Sequence, residues 1–221
     1  MINIEVNGLS WKKMVKSKLS LVKLIDHFCQ CGKAEGKSPH TCSWYKEMLS
    51  TFAKFLIYSK LPLTLGEFTV ETAREYILYE QQRGMSPYTV QARVRALKAF
   101  SSWLFRESYT TKNRLSNLRI PKAPLKIVDT LTPDEINRLI SHQNPLTAIG
   151  SRDIAILVTL LDTGLRLSEL SKLHFADTYV EEGYMKVMGK SSKERIVPVG
   201  NMAQKVLWRY IFSAIFVSPS Q

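Results

Sequence analysis

The stretch from Leu118 to Asp129 (Leu-Arg-Ile-Pro-Lys-Ala-Pro-Leu-Lys-Ile-Val-Asp) limits what this chain can become more than any other feature. Pro121 and Pro124 each lack a donor N–H and push the preceding residue out of the helical region, so the segment is expected to run extended. It leads into Leu131-Thr132-Pro133-Asp134-Glu135. There Thr132 suits a helix N-cap, Pro133 the first helical position and Glu135 the far side of a capping box. A chain interrupted in this way folds in two parts. The expected layout is a basic N-terminal extension over 1–16, a helical domain over 17–118, a linker over 119–130 with the boundary near Asp129, and a second domain over 131–221. No internal repeat is visible in the residue order.

The charge divides along the same line. Residues 1–128 hold 21 Lys and Arg against 9 Asp and Glu, whereas residues 129–221 hold 10 of each, so the net +12 belongs wholly to the first part. Charge kept only for solubility would be spread along the chain; concentrated in one part, it points to a polyanion partner. With 45% hydrophobic residues the chain is rich enough in apolar side chains to be globular. The apolar run Ile154–Leu161 is far short of a bilayer span. The first residues lack the order of a signal peptide, and three cysteines make no disulfide framework, so the expected location is the cytoplasm.

Apolar spacing predicts four helices in the first domain, over Leu19–Cys31, Thr41–Tyr58, Val70–Gln82 and Pro87–Glu107. On the fourth, Gln91, Arg95, Lys98 and Ser102 recur every three or four residues on the polar side. Such a stripe could meet bases or phosphates along a DNA groove, or be a plain solvated face. Lys12, Lys13, Lys16, Lys18 and Lys23 cluster beside Trp11 and Leu19, which suits a nucleic-acid edge better than an amphipathic membrane helix. His27, Cys29, Cys31, His40 and Cys42 are enough for zinc by count. However, Cys29 and Cys31 fall inside a predicted helix, where positions i and i+2 face apart.

In the second domain an apolar helix is expected to end at Gly164 as a left-handed cap. Arg166 follows at once, and Ser168 can cap a short helix over Glu169–Leu173. A charged donor held in a tight turn between two helices has a rigid mount. Strands are expected over Tyr184–Met188 and Arg195–Val199, joined by a loop that carries Lys190 and Lys193.

Thr163-Gly-Leu-Arg-Leu-Ser-Glu-Leu, followed by Gly189-Lys-Ser-Ser-Lys-Glu-Arg-Ile-Val-Pro-Val-Gly, resembles the tyrosine recombinases, the phage integrase family. Ser38-Pro-His-Thr, Gly84-Met-Ser-Pro-Tyr-Thr-Val and Leu97-Lys-Ala-Phe-Ser-Ser-Trp-Leu are similar to that family's helical core-binding domain. The resemblance implies a mainly α fold. It pairs a four-helix core-binding domain with a mixed α+β catalytic domain that carries a β-hairpin and is incomplete at its C-terminus.

It also implies a chemistry. A tyrosine hydroxyl attacks a DNA phosphodiester and leaves a 3′-phosphotyrosine and a free 5′-hydroxyl, with no metal or nucleotide needed. Two arginines clamp the non-bridging oxygens, and a hairpin lysine protonates the leaving oxygen. By resemblance Arg166 is the first arginine and Lys190 the hairpin lysine, with Lys193 as runner-up and as a DNA contact beside Gln91, Arg95 and Lys98. Glu169 reads as structural.

The family's His-x-x-Arg pair and late nucleophile have no match. Neither His27, His40, His142 nor His174 is followed three residues later by Arg, and Tyr210 sits among Leu207, Trp208, Ile211 and Phe212 as a packing residue would. The expectation is a C-terminally truncated recombinase that binds double-stranded DNA and does not cleave it alone. Trp208, Ile211, Phe212, Ile215 and Phe216 would then be left poorly covered. Its partners would be DNA and full-length recombinase protomers rather than a membrane, and tetramer assembly is not expected. The alternative is a non-enzymatic DNA-binding protein that occupies recombination sites or modulates a full-length recombinase.

Overall fold

A computed structural model describes residues 18–125, 127–189 and 193–216. The fold is mostly helical with one small antiparallel sheet, and it divides after residue 126 into two compact units, each with its own core. The basic cluster from Lys12 to Lys16 lies outside the described residues.

The first unit contains α1 (Leu21–Ala34), α2 (Pro39–Tyr58), α3 (Val70–Gln82) and α4 (Pro87–Arg106). The helix α1 starts two residues later and runs three further than its apolar spacing suggested. The helix α2 starts at Pro39 because the Ser38 hydroxyl accepts the Thr41 N–H at 3.1 Å and sets the first turn. Leu21, Leu49, Phe52, Phe68, Phe100, Trp103 and Leu104 fill the core, each at most 1% exposed. Phe28, Phe100 and Trp103 pack ring against ring within it.

The residue order hides a repeat that the fold reveals. With a shift of 48 residues, the hairpin α1–α2 matches the hairpin α3–α4. Gly36 and Gly84 both end a first helix at positive φ, 78° and 74°. Ser38-Pro39 and Ser86-Pro87 cap the second helices in the same way, and each of those helices has 20 residues. Lys60 and Ser108 then turn the chain at φ 56° and 59°. Beyond them the N–H groups of Leu61 and Tyr109 return to the carbonyls of Leu56 and Leu104, both at 2.8 Å.

Burial repeats as well. Phe28, Cys29 and Gly32 correspond to Tyr76, Ile77 and Glu80, and Leu49, Phe52 and Leu56 to Leu97, Phe100 and Leu104, all of them buried. Residue identity is kept at few of these positions, which is why the sequence alone shows no repeat. At Gly32 and Glu80 the copies differ most. Buried Glu80 is paired with Arg93 and lies 3.4 Å from Arg83, whereas at Gly32 a Cβ would already meet the stem of Lys37 at 3.2 Å and the Cys42 sulfur at 3.5 Å.

The second unit contains α5 (Pro133–Ser141), α6 (Ala148–Thr163), α7 (Leu167–Leu170), β1 (Thr178–Tyr179), β2 (Tyr184–Met188), β3 (Glu194–Pro198) and α8 (Asn201–Phe216). The capping box at Thr132 and Glu135 forms as the sequence indicates. The strands order β1-β2-β3, with Tyr184 opposite Pro198 and Met188 opposite Glu194. The two-residue β1 is too short to leave a periodic signal. Val158, Met185, Val187, Val197, Ala203 and Leu207 form the core between sheet and helices. Asp162 on α6 accepts the Gly200 N–H at 2.7 Å, just ahead of α8.

Candidate phosphate-binding site

Gly164 ends α6 in the left-handed region at φ 63°, and its N–H returns to the Leu160 carbonyl. The chain leaves that cap directly into α7. The residue that caps α7 is Arg166 rather than Ser168, so the short helix starts two residues earlier than its sequence suggests. The reason is Glu169. Its carboxylate accepts the Arg166 backbone N–H at 3.0 Å, satisfying a donor that a free helix end would leave open. The same carboxylate accepts from the Arg166 Nη1 at 3.0 Å.

Glu169 is buried, and its side chain is only 6% exposed, against 73% for Arg166. The acid is thus the fixed part and the guanidinium the presented part. Arg195 on β3 completes the arrangement, donating from Nη1 at 3.0 Å and Nη2 at 2.8 Å to the two oxygens of Glu169. These donors, the Arg195 guanidinium first and the Arg166 backbone N–H next, hold the Glu169 carboxyl down to about 2. Nothing in the residue order flagged Arg195 beyond its place in the hairpin. An Arg three residues before a Glu, with a second Arg on a nearby strand, is the signal that could have found it.

Lys190, the expected hairpin lysine, lies outside the described residues. Lys193 is exposed, and its carbonyl accepts the Gly189 N–H at 2.8 Å to close the base of the hairpin loop.

The stripe on α4 is in the first unit and has local work. The Lys98 ammonium donates to the carbonyls of Leu115, Ser116 and Leu118 at 2.9, 3.0 and 2.7 Å. Gln91 donates to the Pro121 carbonyl at 2.8 Å, and the Tyr88 hydroxyl donates to that of Pro124. From residue 115 to 124, the end of the helical domain and the start of the linker, the chain is therefore fastened to α4 by residues that a helical wheel presents as solvated. Arg95 is exposed, with one long contact of 3.4 Å to Gln91.

Cys29 and Cys42 are buried in the first unit. The Cys29 thiol donates to the Cys42 carbonyl, and His27 hydrogen-bonds the Tyr109 hydroxyl at 2.7 Å. Among the described residues, no three His, Cys, Asp or Glu side chains are placed to hold a metal ion. Tyr210 packs against the second core and lines a cavity of about 300 Å³ with Arg152, Thr159 and His174. Trp208 and Phe212 are 43% and 61% exposed. Among the described residues no helix is long and apolar enough to cross a membrane.

The sequence model that describes the phage integrase family matches residues 129–219. Residues 129–219 belong to the phage integrase family. The likeness reaches beyond this integrase segment into the first unit. Tyrosine recombinase XerC of Xanthomonas axonopodis pv. citri (strain 306) is 33% identical over 198 residues, covering 84% of this chain and 64% of that protein. Tyrosine recombinase XerD of Oceanobacillus iheyensis is 31% identical over 179 residues, covering 81% and 60%. The chain thus spans somewhat under two thirds of the length of these relatives.

Solved integrases share the fold. The Tn1549 transposon integrase in complex with a circular intermediate DNA superposes with a TM-score of 0.64 at 17% identity, covering 88% of this chain and 66% of that one. A lambda integrase tetramer bound to a Holliday junction gives 0.68 at 15%, covering 97% and 62%. Arg166, Glu169 and Arg195 all lie inside the integrase segment.

Proposed function

We propose that this 221-residue chain binds double-stranded DNA in the manner of a tyrosine recombinase and does not cleave it by itself. Arg166 serves as an arginine of the phosphate clamp, and Lys190 has the sequence position of the hairpin general acid. The first unit, which carries the whole positive excess, grips the duplex, with Arg95 exposed toward a partner. The observation that carries this reading is the mount of Arg166: a buried carboxylate anchors an arginine whose own side chain is left three-quarters open to solvent. A clamp must present its donors from a fixed mount, and Arg166 has both the mount and the open donors.

The sequence contains neither a His-x-x-Arg pair nor a tyrosine in a nucleophile's setting, and such groups act as a unit. DNA in the cytoplasm is the target of this reading. Full-length recombinase protomers are its protein partners, met on DNA rather than in a tetramer of this chain.

Fluorescence anisotropy with a labelled duplex is expected to show binding that weakens steeply with salt, as phosphate neutralisation requires. A duplex nicked beside the cleavage position is expected to leave no covalent adduct on a denaturing gel. Absence of binding at low salt overturns the reading as a whole, and an adduct at Tyr210 overturns the claim that cleavage is lost.

A further inference from the structure

The carboxylate of Glu169 is shared, and the sharing assigns a role to a residue outside the clamp. A carboxylate offers about four lone-pair positions, and here all four are taken. Oε1 accepts from the Arg166 Nη1 and the Arg195 Nη1, each at 3.0 Å; Oε2 accepts from the Arg166 backbone N–H at 3.0 Å and the Arg195 Nη2 at 2.8 Å. Arg195 uses the planar fork that only arginine has, so it fixes the carboxylate plane and both oxygens at once. Once that plane is fixed, the one remaining direction at Oε1 decides where the Arg166 guanidinium stands.

Arg195 also reaches the base of the hairpin loop. A Cβ on Gly189 would lie 3.0 Å from its Nη1, 3.2 Å from the Lys193 carbonyl and 3.9 Å from the Glu169 Oε1. Residue 189 therefore stays without a side chain so that the guanidinium can pass beside it. One ion pair joins α7 to the start of β3, beside the base of the β2–β3 loop.

We propose that Arg195 is the positioning residue of Arg166: through Glu169 it sets the orientation of the phosphate-binding guanidinium and ties it to the hairpin at Gly189. This rests on the reading of Arg166 as a phosphate ligand. Its test is chosen to need no DNA, so that failure of duplex binding and failure of positioning are told apart.

The first measurement uses the unaltered chain. Arginine side-chain NMR is expected to give Arg195 separate, slowly exchanging Nη–H signals with contacts to those of Arg166. A single averaged signal, as from a freely turning guanidinium, overturns the proposal. The second compares Arg195→Lys, which keeps the charge and loses the fork, with the charge swap Glu169→Arg/Arg195→Glu, which keeps a bridge but removes from α7 the carboxylate that takes the Arg166 N–H.

Inorganic phosphate, followed at the Arg166 Nε–H, is expected to bind about tenfold more weakly to Arg195→Lys, the usual scale for losing a supporting partner. In the swap, affinity stays low even where the melting temperature recovers. A merely structural bridge predicts the opposite: phosphate affinity recovers along with the melting temperature. That result, or unchanged phosphate affinity in Arg195→Lys, refutes the assignment.

Discussion

Replacing Lys98 by Met separates two roles that a basic residue on α4 could have. The ammonium satisfies three carbonyls where the chain leaves the last turn of the first unit, those of Leu115, Ser116 and Leu118. A hydrogen bond from a charged donor contributes about 1.5–3 kcal/mol when sheltered. Lys98 is half-buried, and the three carbonyls share one cation. The loss is thus expected near the low end, about 2–4 kcal/mol for the set. For a unit of roughly a hundred residues that lowers the melting temperature by about 10–20 °C.

Methionine retains the aliphatic stem, so little of the change comes from packing. The assay pairs a thermal melt with DNA affinity measured as a function of salt. A lysine that neutralises a phosphate contributes about 0.9 to the slope of log affinity against log salt. Lys98, occupied by carbonyls, is expected to contribute close to none, whereas Arg95→Ala lowers the slope by about that amount. A stable Lys98→Met protein with a reduced slope would refute the reasoning, because it would show the ammonium leaving its carbonyls for DNA.

Other expectations follow from the same contacts. Glu169 has its carboxyl lowered to about 2, so its contribution to stability is complete above the ordinary carboxylate range and is lost as pH falls toward about 2. Acid titration of Glu169→Gln should lack that component. Tyr76 is buried and raised to about 12, so its contribution holds below the usual tyrosine range near 10 and fades as pH rises toward 12; Tyr76→Phe should flatten that alkaline loss. Leu56→Ala and Leu104→Ala remove equivalent, fully buried side chains and should each cost about 2–5 kcal/mol by urea unfolding. Gly164→Ala forces a side chain into the left-handed region and should cost about 1–2 kcal/mol in the same measurement.

Much of this fold was legible because its signals are local. Thr132-Pro133-Asp134-Glu135, Ser86-Pro87 and Gly164 specify helix ends through their own backbone and side chains, and each element ends where they stand. What escaped is set by partners far along the chain. Glu169 displaced Ser168 from its expected place at the start of α7 because its carboxylate, held by Arg195 from 26 residues away, takes the Arg166 N–H. Lys98 and Gln91 looked solvated because a helical wheel cannot know that residues 115–121 return across them. Arg166 stands out in its motif, whereas the support beneath it does not, since support is a matter of who shares a carboxylate.

The 48-residue correspondence between the two helical hairpins bears on how the first unit comes together. Each hairpin closes over a short loop with its own caps, so either can form early at little entropic cost. Docking then sets α2 against α4, the two equivalent 20-residue helices. Because one hairpin presents nearly the same buried positions as the other, a hairpin from a second molecule can compete for the same seat. The difference at Gly32 and Glu80 then matters: a buried acid matched to Arg93 on its own α4 ties the second hairpin together from within, which Gly32 cannot do in the first. Replacing Glu80 would leave the sheltered Arg93 guanidinium without its acid, and the expected failure is a second hairpin that loosens while the caps of the first still hold.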